Sequence, residues 1–157
     1  MKIYLYVIGK TSEAYLTTGI NEYNKRLGKY VKFDLKVLPD IKNAASLSEP
    51  ELKLREGEVF LKKINPTDIV VLLDERGKEH TSEQFAEFIQ HQMNYGGGDL
   101  VFVIGGAYGF SNAMYERANS KMSLSKMTFS HQMVRLLFIE QLYRGFTIIK
   151  GEPYHHK

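Results

Sequence analysis

Apolar positions in this chain follow two different periods, and the two periods alternate along it. Residues 2–8, 69–73 and 100–104 are short runs rich in aliphatic and aromatic side chains, which predicts β-strands. The last two runs lack regular polar positions, a pattern typical of strands buried on both faces. Residues 31–38 alternate apolar and polar positions and stop at Pro39, which predicts a further strand with one apolar face.

Helical spacing separates these runs. Leu16, Ile20, Tyr23 and Leu27 recur at intervals of four, three and four residues, which predicts an amphipathic helix that Gly28 could end. Hydroxyl residues suited to helix N-caps mark the other starts. These helices are predicted from Ser48 toward Ile64, from Thr81 toward the glycines at 96–98, from Ser111 through Ala118, and from Thr128 or Ser130 to about Ile149.

Strands that alternate with helices predict an α/β fold, with a mostly parallel sheet and helices on both faces. A last, brief strand is predicted at 122–124. A chain of 157 residues can bury roughly 70% of its unfolded surface, and no linker or repeat divides it. We therefore predict a single domain over residues 1–157.

Composition narrows the classes of protein. The chain has no cysteine, which excludes disulfides, thiolate nucleophiles and Cys-ligated metal. Its first residues lack the pattern of a signal peptide, and no window approaches the ~18 apolar residues of a membrane span. We expect a cytoplasmic protein with no membrane partner.

Charge is distributed unevenly along the chain. Residues 1–110 contain 14 Lys and Arg against 15 Asp and Glu, whereas residues 111–157 contain 7 against 3. A basic C-terminal third attracts phosphate, although it is too weakly charged for tight nonspecific binding to nucleic acid. A solvated basic helix face is an equally simple interpretation.

Three loops of unusual composition follow predicted strands: residues 73–77, 105–109 and 125–128. Ligands of open α/β sheets lie beyond the carboxyl ends of the strands, so the three loops should converge. The glycines at 105–109 have three readings: a dinucleotide site, a structural turn, or a close backbone approach to a nucleoside-like ligand. The charged residues at 74–76 could serve acid–base chemistry, but a solvated loop is the simpler interpretation.

The C-terminal third holds the other candidates. His131 and Arg135 are four residues apart and so share a helix face, whereas Arg144 lies on roughly the opposite side. Arg144 therefore serves a different edge of the site, reaches it from a second subunit, or simply pairs with Glu140. Adjacent histidines near the end rarely share one ion, so no metal is predicted. Tyr154 and the following histidine could instead stack on an unpaired base.

Taken together, the motifs resemble the bacterial ribosomal RNA large subunit methyltransferase H family over the whole chain. The motifs are Leu73-Asp74, Phe102-Val-Ile-Gly-Gly106-x-x-Gly109, Ser123-Leu-Ser-Lys-Met-Thr-Phe129, His131-x-x-x-Arg135, Glu140-Gln-Leu-Tyr-Arg144 and Pro153-Tyr-His155. The resemblance implies a SPOUT-type trefoil knot in the C-terminal half, S-adenosylmethionine as methyl donor without a metal, and N3 of a pseudouridine in 23S rRNA of the ribosome as acceptor.

The resemblance also implies site residues. The residues that it implies for binding of the methyl donor are Leu73, Gly105, Leu124, Ser125, Lys126, Met127, Thr128 and Phe129. Arg144 and His155 match substrate-side positions and are predicted to be catalytic. His131 and Arg135 match the entry of the last helix and, with Tyr154, are predicted to bind substrate.

Two further points accompany the resemblance. The family often has Pro where this chain has Ser130, whose hydroxyl can still cap the helix. The family forms a homodimer with a composite active site, which would let a second chain supply Arg144. A noncatalytic RNA-binding module and a small-molecule methyltransferase remain alternatives from the residues alone.

Overall fold

Five strands and five α-helices alternate in the computed structural model, which describes residues 1–156. The strands are β1 (Lys2–Ile8), β2 (Lys32–Leu38), β3 (Ile69–Glu79), β4 (Leu100–Ile104) and β5 (Ser120–Ser123). The helices are α1 (Ala14–Leu27), α2 (Glu49–Lys63), α3 (Ser82–Tyr95), α4 (Asn112–Arg117) and α5 (His131–Ile149).

The five strands form one sheet in the order β2-β1-β4-β3-β5, and every neighbouring pair is parallel. The α/β fold with a parallel sheet is thus confirmed. All five residues of β4 are buried at the centre of the sheet, as its unbroken apolar sequence predicted. The carboxyl end of β4 at Ile104 pairs with Leu73 of β3.

Helices cover both faces of the sheet. On one face α1, α3 and α5 enclose a core with Phe102 of β4 at its centre, and the rings of Phe102 and Phe138 lie 4.6 Å apart. Full burial of one such ring contributes roughly 1.5–3 kcal/mol. On the other face α2 and α4 pack around Phe60 and Met114. The two layers hold the strand ends in fixed relative positions.

The predicted N-caps are present. Ser48, Ser111 and Ser130 each accept a hydrogen bond from a backbone N–H of the first helical turn. Thr81 forms a complete capping box with Gln84. Ser130, rather than Thr128, opens α5.

Strand β3 runs six residues beyond the predicted end at Leu73, because pairing with β5 resumes at Lys78 and Glu79 after an interruption at residues 74–77. The register shifts between Leu73 and Lys78. At Gly77 a Cβ atom would lie 2.5 Å from the Met122 nitrogen, so only glycine permits this approach. Strand β5 begins two residues earlier than predicted. The trefoil knot stays a prediction, since strand order does not define chain threading.

Candidate active site

The three loops converge, as predicted, around a cavity of about 570 Å³ that lies beyond the carboxyl end of β4 and beside residues 73–76 of β3. Seven of the eight predicted donor-binding residues line it: Leu73, Gly105, Leu124, Ser125, Met127, Thr128 and Phe129. Lys126 does not line it; its side chain is 89% exposed and its Nζ lies 3.9 Å from Glu79 Oε1. The cavity has the size of a small-molecule site.

The glycine loop forms one wall. Gly106 and Gly109 close a tight turn, in which the Gly109 N–H donates to the Gly106 carbonyl oxygen at 3.2 Å. Gly109 has a φ of +84° and open space where a Cβ would project. A Cβ on Gly105 would lie 3.2 Å from the Gly109 carbonyl oxygen. The loop is therefore both a structural turn and a backbone wall that a ligand can approach closely.

Beneath this turn lies an acidic residue that the sequence did not single out. Glu56 of α2 is buried, and a Cβ on Gly106 would meet its Oε2 at 2.4 Å. Desolvation raises the pKa of Glu56. Its place in the capped α2 helix gave no sign of this contact, because the two residues are far apart in sequence.

Internal hydrogen bonds shape the loop at 123–129. The Ser123 hydroxyl donates to the Ser125 carbonyl oxygen at 2.9 Å, and Ser125 Oγ accepts from the Met127 N–H at 2.9 Å. Met127 and Phe129 remain 75% and 42% exposed. Large apolar groups exposed at the mouth of a cavity are typical of a binding surface.

Asp74 has a more specific environment than the solvated loop that the sequence suggested. Its Oδ1 accepts from the Arg76 N–H at 3.0 Å, and its Oδ2 accepts a short hydrogen bond from the Tyr115 hydroxyl. Desolvation is the main cause, and the hydrogen bond to Asp74 the second, of a Tyr115 pKa that is raised to about 12. Tyr115 lines the cavity and was missed, since it lies on a short helix 41 residues further along.

His131 and Arg135 do not share a site, although they lie on one helix. His131 lines the cavity at the start of α5. Arg135 is 1% exposed, and its guanidinium donates to the carbonyl oxygens of Ile8 (2.9 Å) and Gly9 (2.8 Å). Burial lowers the pKa of Arg135. These contacts fix the loop after β1 and do not support the substrate-binding role predicted for Arg135.

A second polar cluster lies toward the other end of α5 and contains Arg144, Tyr154 and His155. Glu140 Oε1 accepts from Arg144 Nη2 at 2.6 Å and from the Tyr154 hydroxyl at 3.1 Å. Desolvation would lower the pKa of Arg144, but the hydrogen bonds and charge of Glu140 outweigh it and raise that pKa. The predicted pairing of Glu140 with Arg144 is present.

Hydrogen-bond chemistry defines the tautomer of His155. Arg144 Nη1 lies 3.1 Å from His155 Nδ1, and an arginine can only donate, so Nδ1 accepts. The ring proton then lies on Nε2, which is 3.1 Å from Glu83 Oε1 and donates to that carboxylate. Both ring nitrogens of His155 are engaged within the described chain.

The two groups of predicted residues are separated along α5. Arg144 comes thirteen residues after His131 along the helix, a rise of roughly 20 Å. A second cavity of about 380 Å³ shares Ser123, Leu124, Ser125 and Phe129 with the first and extends to Glu140. Thus one chain brings the donor-loop residues together at one place. It brings Arg144, Tyr154 and His155 together at another.

The part of the chain that the structure describes shows neither a metal site nor a membrane-spanning helix. Over residues 1–156, no group of three or more His, Asp or Glu side chains is arranged to hold a metal ion. Within the same part of the chain, no helix has the length and apolar character needed to span a membrane.

The fold and the cavity define the class of protein. Residues 1–155 match the family model described as "Predicted SPOUT methyltransferase", so the chain belongs to the SPOUT methyltransferase family. A solved structure of a probable methyltransferase from Bordetella pertussis Tohama I shares the fold, with a TM-score of 0.53 and 11% identity over 92% of this chain and 96% of that one.

Full-length relatives place the chain more narrowly within the family. Proteins named Ribosomal RNA large subunit methyltransferase H from Flavobacterium johnsoniae and Parabacteroides distasonis are 58% and 56% identical to it over 157 residues, which is 100% of each chain. The resemblance drawn from the motifs is confirmed.

Proposed function

We propose that this protein transfers a methyl group from S-adenosylmethionine to N3 of a pseudouridine in 23S rRNA of the large ribosomal subunit. The observation that carries the proposal is the cavity beyond the carboxyl end of β4, because its lining coincides with seven of the eight predicted donor-binding residues. The full-length relatives named as ribosomal RNA methyltransferases support the choice of acceptor. We propose a cytoplasmic protein, since its substrate is the ribosome.

The lining of the cavity fits an adenosine joined to an amino acid. Leu73, Ile104 and Leu124 offer apolar walls for a flat base, and the backbone groups of the glycine loop, which also lines the cavity, would hydrogen-bond it. Asp74 and Arg76 supply charges of both signs at the rim, which suits a ligand that carries ammonium, sulfonium and carboxylate groups. The bound donor supplies an electrophilic methyl group.

The catalytic pair belongs to the acceptor side. Arg144 lies on α5 at a helix rise of roughly 20 Å from His131 at the donor cavity. His155 follows the helix and hydrogen-bonds to Arg144. We propose a homodimer in which one chain provides the donor cavity and its partner provides Arg144, Tyr154 and His155. The apolar groups exposed at Met127 and Phe129 give such a partner a surface to cover.

Transfer to N3 requires that this nitrogen lose its proton. Arg144 remains positively charged and can stabilise the negative charge that develops on the uracil ring. Of the two candidate bases, His155 and a solvent water, the observed hydrogen bonds favour the water, because both ring nitrogens of His155 are engaged. His155 then orients Arg144, and positioning supplies much of the rate.

Calorimetric titration with S-adenosylmethionine tests the donor cavity. Wild-type protein should bind the donor. Gly105→Trp should abolish binding, because an indole at this position would occupy the space of the cavity. Lys126→Ala is the matched control from the next donor loop, and its affinity should remain within about twofold of wild type, since side-chain truncation of an exposed residue changes little. Absence of donor binding by wild-type protein would refute the proposal.

Substitution of Arg144 tests the acceptor side separately. Arg144→Ala should keep the donor affinity and lower turnover on ribosomes by about 100-fold or more, as expected when a charge that stabilises the transition state is removed. Near-normal turnover would exclude the role proposed for Arg144. Single-turnover methylation of ribosomes is the measurement.

A further inference from the structure

Each hydrogen bond of the second polar cluster has a donor and an acceptor that the chemistry of its side chains defines. The Tyr154 hydroxyl donates to Glu140, so the Tyr23 hydroxyl, 3.2 Å from it, must donate to Tyr154. Glu140 also accepts from Arg144 Nε at 3.1 Å. A carboxylate only accepts and an arginine only donates, so the position of each proton is determined.

The same reasoning continues on the other side of Arg144. Its Nη1 donates to His155 Nδ1, and His155 Nε2 donates to Glu83 Oε1. Glu83 belongs to the first turn of α3, a different element from the helix that carries Arg144. The side chains of His155 and Glu83 are 16% and 34% exposed, so this contact is only partly screened by water.

We propose that Glu83 is a positioning residue for methyl transfer, which holds His155 with its proton on Nε2 and so keeps Nδ1 as the acceptor for Arg144. Without this carboxylate, His155 can carry its proton on Nδ1. An Nδ1–H and the Arg144 N–H are both donors, so they cannot form a hydrogen bond with each other. Arg144 would then lose one of the groups that orient its guanidinium, the others being Glu140 and the Tyr154 ring, whose centroid lies 4.8 Å from Arg144 Cζ. The inference rests on the proposed function, because the orientation of Arg144 matters for turnover only there.

The variants separate this role from a structural one. Glu83→Ala removes the acceptor, whereas Glu83→Gln keeps an acceptor oxygen but loses the charge that favours a helix N-terminus. Glu87→Ala is the matched control, since Glu87 is an exposed acid one turn further along the same helix. Melting temperatures establish that all three variants fold.

Two measurements are made on each full-length variant. The first is the ring-nitrogen NMR spectrum of His155, assigned by comparison with His155→Gln. The second is kcat and the donor KM for ribosome methylation. Wild type and Glu83→Gln should carry the His155 proton on Nε2. Glu83→Ala should lose this preference and lower kcat by about tenfold at an unchanged donor KM, as for other partners that orient functional histidines.

Several results would overturn the proposal. One is an unchanged tautomer in Glu83→Ala; another is a changed tautomer with normal kcat. A third is a loss of kcat that Glu83→Gln and Glu87→Ala share, which indicates a general effect of charge on α3. If wild-type protein does not methylate ribosomes, the proposed function fails, while the tautomer still decides whether Glu83 fixes His155.

Discussion

Glu56 is an acidic side chain that is buried beneath the glycine loop. It is 8% exposed, packs against Gly106, and has a pKa that burial raises. A carboxyl whose folded-state pKa is raised binds its proton more tightly in the folded protein. Its contribution to stability is therefore fully present below the unfolded-state pKa and is lost as the pH rises through the folded-state pKa.

The substitution Glu56→Gln should consequently raise the melting temperature at pH 7, because an amide of the same shape avoids burial of a charge. The gain should shrink as the pH is lowered toward 4, where the wild-type carboxyl is protonated. Thermal unfolding of both proteins across this pH range is the measurement. A difference in melting temperature that does not change with pH would contradict a folded-state pKa of Glu56 raised by burial.

Helix α5 connects the two parts of the site, and Arg135 fixes it to the sheet. The guanidinium of Arg135 donates hydrogen bonds to the carbonyl oxygens of Ile8 and Gly9, at the end of β1, and to Thr11 Oγ1 at 3.2 Å. Arg135→Met should lower the free energy of unfolding by roughly 2–3 kcal/mol, since buried hydrogen bonds to a charged group are lost.

A neighbouring residue provides the control for this substitution. Gln132 bonds the same loop through Ser12 N–H (2.9 Å) and the Lys10 carbonyl oxygen (3.1 Å), but these bonds are exposed. Gln132→Ala should cost only about 1 kcal/mol. Chemical denaturation measures both, and equal losses for the two variants would contradict the structural role assigned to Arg135.

The elements of this fold could be predicted largely from local patterns. Unbroken apolar runs defined β4 and the first five residues of β3, and hydroxyl caps defined the starts of α2 to α5. The extension of β3 past Leu73 could not be foreseen, because it depends on pairing with β5 and on the missing Cβ of Gly77.

The site was predictable to the extent that loops after parallel strands meet at one edge of the sheet. Contacts between distant elements were not. Tyr115, Glu56 and Glu83 each reach the predicted residues from a different helix, and no spacing along the chain signals this. The buried position of Arg135 is likewise invisible to helix periodicity, since arginine is ordinarily an exposed residue.

At the level of the assembly, the proposed composite site makes a quantitative prediction. Gly105→Trp and Arg144→Ala chains should each be inactive alone. Mixed and allowed to exchange subunits, they should recover about a quarter of wild-type activity, because half of the dimers are mixed and each mixed dimer has one intact site.

The alternative gives a different result in the same experiment. In the alternative, the second cavity connects the donor cavity with Arg144 of the same chain. Every chain in the mixture then carries a defect in its own site. The mixture then stays inactive. Subunit exchange is verified by native mass spectrometry before activity is measured.

Direct analysis of the RNA product tests the proposed function most completely. Large ribosomal subunits or whole ribosomes that lack the modification are incubated with the protein and S-adenosylmethionine, and nucleosides from the 23S rRNA are identified by chromatography with mass spectrometry. We expect N3-methylpseudouridine with the wild-type protein and none with Arg144→Ala. Donor binding without this nucleoside, or a methyl group on another base, would contradict the proposed function.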